Sequence, residues 1–191
     1  VMASIIRGDD NFDSSAAGGL KFISSTDISS DATAEFTGFN SALYDSYEFV
    51  FSNVLPATDG TIFSMRTSSN GGVSYNTGTG DYSRATGFIN YAISGQGGGA
   101  SASYISVSYA GVGNASGEQG VSGVVKVFSP HLIKRTYLMS DVVYVDNGGV
   151  YYRTTGLGAR LTDAVVNGIR FYYSSGNLAS GTITMYGKVN S

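Results

Sequence analysis

The sequence predicts an all-β fold, an antiparallel β-sandwich of jelly-roll-like form with about ten to twelve strands. Three observations predict it. First, residues alternate with period two: in YEFVFS, Tyr47, Phe49 and Phe51 share one face and Glu48, Val50 and Ser52 the other, as in a strand with one side against a core. Second, 27 glycines and 14 tyrosines accompany abundant Ser and Thr, with 13% charged residues, a mixture that suits strands joined by turns over long helices. Third, apolar runs recur at short spacing with turn signals between them and no convincing helical period.

The run Tyr47–Ser52 continues through Pro56 and the turn signal Asp59-Gly60 into a second alternating run, Thr61–Thr67, with Phe63 and Met65 opposed to Ser64 and Arg66. A strand, a turn and a strand predict a paired hairpin. Phe49, Phe51, Phe63, Phe171 and Ile183 are the predicted core. Upstream, Leu20–Ile28 and Ala34–Phe39 read as short strands around Ser29-Ser30-Asp31. Downstream, Gly87–Ile93 reads as a strand, Gly95–Gly99 as a flexible turn and Ser101–Tyr109 as a further strand. Val121–Ser129, Ile133–Val145 and Val150–Leu161 are long β-rich runs, the last two joined by Asp146-Asn147-Gly148-Gly149, a strong hairpin signal. Val165–Tyr173 and Thr182–Val189 form the expected final pair, linked by SSGNLASG.

At 191 residues the chain suits one domain. Residues 21–191 are read as that domain, and residues 1–20, small, acidic and glycine-rich, as an arm or linker. A net charge of −3 gives no general electrostatic reason to expect nucleic acid or an anionic membrane as partner. The absence of cysteine excludes disulfides, thiolate zinc sites and thiol catalysis. No basic segment leads into an apolar run with a cleavage site, and no stretch is apolar for the 18 residues a spanning helix needs, so neither a signal peptide nor membrane insertion is expected.

Motifs for chemistry are incomplete. Asp9, Asn11 and Asp13 have the opening spacing of a calcium loop, but Ser14 replaces the required glycine and Leu20 the bidentate glutamate. His131, the single histidine, follows Ser129-Pro130 in an expected turn with no nucleophile motif beside it, and reads as a solvated loop residue. The three glutamates, Glu35, Glu48 and Glu118, show no pairing of the kind a glycosidase uses; Glu48 reads as a sheet-surface charge. GVGNASG from Gly111 lacks the Lys-Ser or Lys-Thr and the helix of a phosphate loop. Asn114-Ala115-Ser116 is a chance-level glycosylation pattern, and Lys134-Arg135 reads as an edge charge. No metal, cofactor or catalytic residue is expected.

The loop at 70–84 is long and polar, and such loops are uncommon unless they have a function. Tyr75 and Tyr82 could supply platforms for a sugar's C–H face, Asn76 and Asp81 acceptors for its hydroxyls, and Arg84 a donor fork. The competing expectation is that both tyrosines fold back as a lid over the sandwich edge, or meet another subunit.

The runs YDSYEFVFSNVLPATDGTIFSMRTSSNGGVSYNTGTGDY (residues 44–82) and VNGIRFYYSSGNLASGTITMYG (residues 166–187) resemble a β-sandwich module of bacteriophage virion structural proteins, tail-fibre-like or otherwise on the particle's exterior. The resemblance covers most of residues 21–189 and implies a non-enzymatic virion component, located on the particle's outside. Its expected partners are other virion proteins, further copies of itself, with a trimer ahead of a dimer, and a host-surface glycan. The resemblance leaves two functions, first an adhesin or fibre-associated domain for host attachment and second a capsid decoration or cement protein; apart from it, and last, stands a glycan-cleaving enzyme, which would need two carboxylates converging in a groove.

Overall fold

The structure, a computed structural model, describes residues 19–189. The expected arm, with Asp9, Asn11, Asp13 and Ser14, lies outside the described residues except for its last two positions, and Leu20 already opens the first strand. Among the described residues no helix is long and apolar enough to cross a membrane.

Among the described residues twelve strands form: β1 (Leu20–Asp31), β2 (Ala34–Phe36), β3 (Tyr44–Pro56), β4 (Phe63–Ser68), β5 (Tyr82–Ile89), β6 (Ser94–Ala102), β7 (Ile105–Ser106), β8 (Val121–Phe128), β9 (Thr136–Val145), β10 (Tyr151–Arg160), β11 (Gly168–Tyr173) and β12 (Leu178–Val189). They make an eight-stranded sheet, ordered β1-β12-β3-β8-β9-β10-β5-β6, and a four-stranded sheet, β2-β11-β4-β7, with every ladder antiparallel. Setting β5, β6, β9 and β10 aside leaves two four-stranded sheets, β1-β12-β3-β8 and β2-β11-β4-β7. In this order the first strand pairs with the last, the second with the last but one, and so inward, which is a long hairpin rolled into a jelly roll. The expected all-β sandwich is therefore what forms. The hairpins β5–β6 and β9–β10 are insertions into that roll, and both extend the larger sheet past β8.

Two expected pairings do not form. Tyr47–Ser52 and Thr61–Thr67 do not make a hairpin: β3 pairs with β12 and β8, whereas β4 pairs with β11 and β7 in the opposite sheet. The chain crosses between sheets after Pro56, so Phe51 and Phe63 meet across the core, ring centroids 5.2 Å apart. Likewise β11 and β12 lie in different sheets. Pairing within a sheet and packing between sheets both demand the same alternation, and a roll sends consecutive strands to opposite layers. Gly95–Gly99, expected as a turn, lies inside β6, and the true turn is Asn90–Ile93, closed by a bond from the Asn90 N–H to the Ile93 carbonyl (3.0 Å).

The predicted core is correct in its faces. Phe49, Phe51, Phe63, Phe171 and Ile183 are buried, joined by Tyr47, Met65, Ile169 and Met185. Phe171 sits at the centre, its ring 5.0–6.2 Å from those of Phe36, Phe49, Phe51 and Phe63. The inner face of the inserted part is covered by β7 of the small sheet and the residues around it, 103–110: Phe88 stacks on Tyr109 at 4.1 Å, and the Tyr144 hydroxyl accepts the Tyr109 and Ala110 N–H groups (3.1 and 2.9 Å). A Cβ at Gly158 would lie 2.6 Å from the Ile105 terminal methyl, so any larger residue there forces Ile105 to shift.

Candidate binding surface

The five residues proposed for sugar binding do not form an exposed surface. Tyr82, at 0% exposure, points into the fold, where its hydroxyl accepts the Thr67 N–H (2.8 Å) and donates to the Asn76 carbonyl (3.2 Å). The Asn76 carboxamide donates to the Thr67 carbonyl (2.8 Å) and accepts from Arg160 Nη2 (3.0 Å). Asp81 receives Arg160 Nη1 on its carboxylate at 2.8 Å and on its carbonyl at 3.1 Å, and its other oxygen accepts the Gly78 N–H at 2.6 Å. Arg84 turns inward too, donating to the hydroxyls of Ser106 and Tyr104 with its guanidinium 4.2 Å from the Tyr104 ring centre. Tyr75, 8% exposed, lies across the outer side of the small sheet with Arg170 4.0 Å from its ring centre, while Arg170 bridges to Glu35 at 2.8 Å. Burial, then the Glu35 carboxylate, pushes the Tyr75 hydroxyl up to about 12, with Arg170 opposing.

These contacts fasten the loop to the body of the fold. Polar groups drawn off water must find partners, and here Arg160, buried at the end of β10, supplies three of them. Sequence reasoning missed Arg160 because its partners lie some eighty positions away; its one signal is its place on the inward face of an alternating run.

The other candidates resolve individually. Glu48 pairs with Lys126 on the neighbouring strand (2.9 Å), Glu35 with Arg170, and Glu118 accepts the Ala115 N–H (2.6 Å), so each glutamate has a different partner. His131, expected in solvent, is half-buried at a small cavity beside Phe39, Tyr47 and Val166, its Nδ1 shielded and without a protein partner. Among the described residues no three acidic, histidine or cysteine side chains cluster as a metal site.

The accessible surface with shape is the outer face of the large sheet, on its inserted half. The small sheet covers the inner face of the roll and nothing in the described chain covers this outer side, where Tyr137, Met139, Val143 and Leu157 stand exposed. Two clefts indent it. One, about 850 Å³, runs over β5, β6 and β10 between Gln96 and Leu157, floored largely by glycine backbone. The second, about 660 Å³, lies at the end of the same strands, where the turn after β5, the start of β10 and the segment before β8 meet around Asn90, Tyr91, Gln119, Tyr151, Tyr152 and Arg153.

No protein-family model matches the chain, and no curated protein or solved structure is significantly similar to it. The second cleft is assembled from three separated stretches. Its one legible sign was the pair Tyr151-Tyr152 after the DNGG turn, since adjacent tyrosines on a strand must send one ring out.

Proposed function

We propose that the protein is a bacteriophage virion structural protein on the particle's exterior that works by binding, as an adhesin or fibre-associated domain for host attachment. The observation that carries the binding part is the indented outer face on the inserted half of the large sheet, where exposed tyrosines stand beside amide and guanidinium groups. Such a surface stabilises a contact through apolar burial and orients it through a few polar groups. The insertions lie outside the strand order that defines the jelly roll, and additions to a rigid scaffold are a common place for recognition. The virion part rests on the resemblance of residues 44–82 and 166–187 to phage exterior modules. Jelly rolls also serve viral capsids and lectins, an analogy of fold that agrees with this reading without choosing a role.

Capsid decoration is the second reading, favoured by one feature. The edge strand β6 carries glycine at 95, 97, 98 and 99, which leaves a smooth free edge beside exposed Met139 and Leu157 for a neighbouring subunit. Gold-labelled antibody on intact particles separates the two: label on the tail with purified protein blocking adsorption supports attachment, label over the head supports decoration, and no label on particles overturns the virion assignment.

A further inference from the structure

We propose that the cleft between Tyr91 and Tyr151 is a carbohydrate site that takes a neutral pyranose. This deepens the binding role proposed above by naming the class of ligand and where it sits. Tyr91 is 82% exposed and Tyr151 is 72% exposed. They come from different hairpins, yet the register Arg153↔Ile89 brings the start of β10 alongside the end of β5, so both reach one cleft. Two aromatic rings held in water at one indentation form a surface that the C–H face of a sugar covers.

The polar groups around them have bonding capacity to spare, and two of them are held in place. Asn90 Oδ1 accepts the N–H groups of Ala92 and Ile93 (2.9 and 2.8 Å), which fixes the carboxamide and leaves its Nδ2 as a donor. Arg153 gives Nε and Nη2 to Asp141 (3.0 and 2.8 Å), leaving Nη1. Gln119 brings an exposed amide that both donates and accepts. The floor is rigid, because Tyr152 stacks on Tyr144 with rings 5.5 Å apart and 7° from parallel and packs against Phe88. Preorganised groups of this kind lower the ordering cost of binding.

Charge selects within the class. Among the described residues the one cation lining the cleft, Arg153, is paired with Asp141 at two points, so a uronate or sulfate finds there no unpaired positive charge to offset its desolvation. A neutral ring with several hydroxyls meets donors and acceptors without that penalty. The volume falls within the range of about 300–1,000 Å³ usual for small-molecule sites.

The test is saturation-transfer NMR on the full chain with the methyl glycosides of glucose, galactose, mannose and N-acetylglucosamine, and with glucuronate. Saturation should reach the ring C–H protons of at least one neutral glycoside. It should fall at least fivefold in Tyr91→Ala and in Tyr151→Ala with melting temperature unchanged, both rings being exposed, and persist in Tyr137→Ala, exposed on the same face outside the cleft. Transfer to none of the neutral glycosides, transfer that survives both cleft substitutions, or a preference for glucuronate overturns the proposal. Particle labelling is independent of this outcome: a protein on the virion that takes no sugar sinks the site alone, and one that binds sugar but is missing from particles sinks the virion reading alone.

Discussion

Phe171 and Tyr82 show how differently single side chains hold this fold. Phe171 meets four aromatic rings from both sheets, and Phe171→Ala removes that burial and leaves a cavity, so stability should drop by roughly 3–5 kcal/mol; a urea midpoint close to that of the parent would refute its central place. Tyr82→Phe deletes one oxygen but strands the buried Thr67 N–H that it accepts, so a loss of about 1–3 kcal/mol is expected by the same measurement. Tyr75 is the contrast, since its hydroxyl has no protein partner and Tyr75→Phe should change little at neutral pH. Its effect belongs at high pH. The folded pKa of Tyr75 is raised from 10.0 to about 12, and burial also raises Tyr82, Tyr144, Tyr172 and Tyr173. The fold favours the protonated phenols, so their contribution is complete below pH 10 and is lost as pH climbs through their raised folded values, which for Tyr75 is about 12. Denaturant midpoints should fall across that window, and less steeply in Tyr75→Phe; a midpoint flat up to pH 12 would contradict the burial of these rings.

Among the elements, the 69–81 loop and the inserted hairpins divide the tasks expected of one loop. The loop is long and polar but fastened, with Gly71 N–H on the Asn167 side chain at 2.7 Å, Asn76 N–H on the Thr67 carbonyl at 2.9 Å and Asp81 on Arg160. Arg160→Met leaves the Asp81 and Asn76 acceptors without their charged donor, a loss of about 1.5–3 kcal/mol for a bond of this kind. Amide exchange within residues 69–81 should then speed by roughly tenfold or more while β3 and β12 stay protected. Uniform loss of protection across the sheets would show instead that Arg160 supports the whole fold. The hairpins β5–β6 and β9–β10 answer to weaker constraints: no element among the described residues covers their outward side chains, which is why exposed Tyr91, Tyr151, Met139 and Leu157 can stand there.

For the molecule as a whole, the unanswered demand is at its edges and outer face. Among the described residues β1 and β6 end the large sheet with unpaired outer ladders, and exposed apolar side chains stand on the face between β9 and β6. Free edges beside apolar surface favour symmetric association, so native mass spectrometry should find more than one chain per particle, a trimer ahead of a dimer. A single-chain mass at concentrations matching those on a virion would remove self-association from the proposed function.

Composition and period-two alternation determined the class and the inward faces, because both are local. Tyr47, Phe49 and Phe51 must share a side of any extended chain, and burial of one side of each strand follows whatever the strand pairs with. The turn at Asp146–Gly149 was legible for the same reason, its geometry being set by four adjacent residues. Which strands pair is a different kind of fact. Alternation in β3 and β4 fits a hairpin and a face-to-face contact equally well, and the jelly roll resolves it through the ladders β3·β12 and β4·β11, which join residues a hundred or more positions apart. The site follows that topology. Tyr75 and Tyr82 looked available because a local reading carries no knowledge of Arg170 and Arg160, and Tyr91, Asn90, Gln119 and Tyr151 become neighbours only when two insertions extend one sheet past β8.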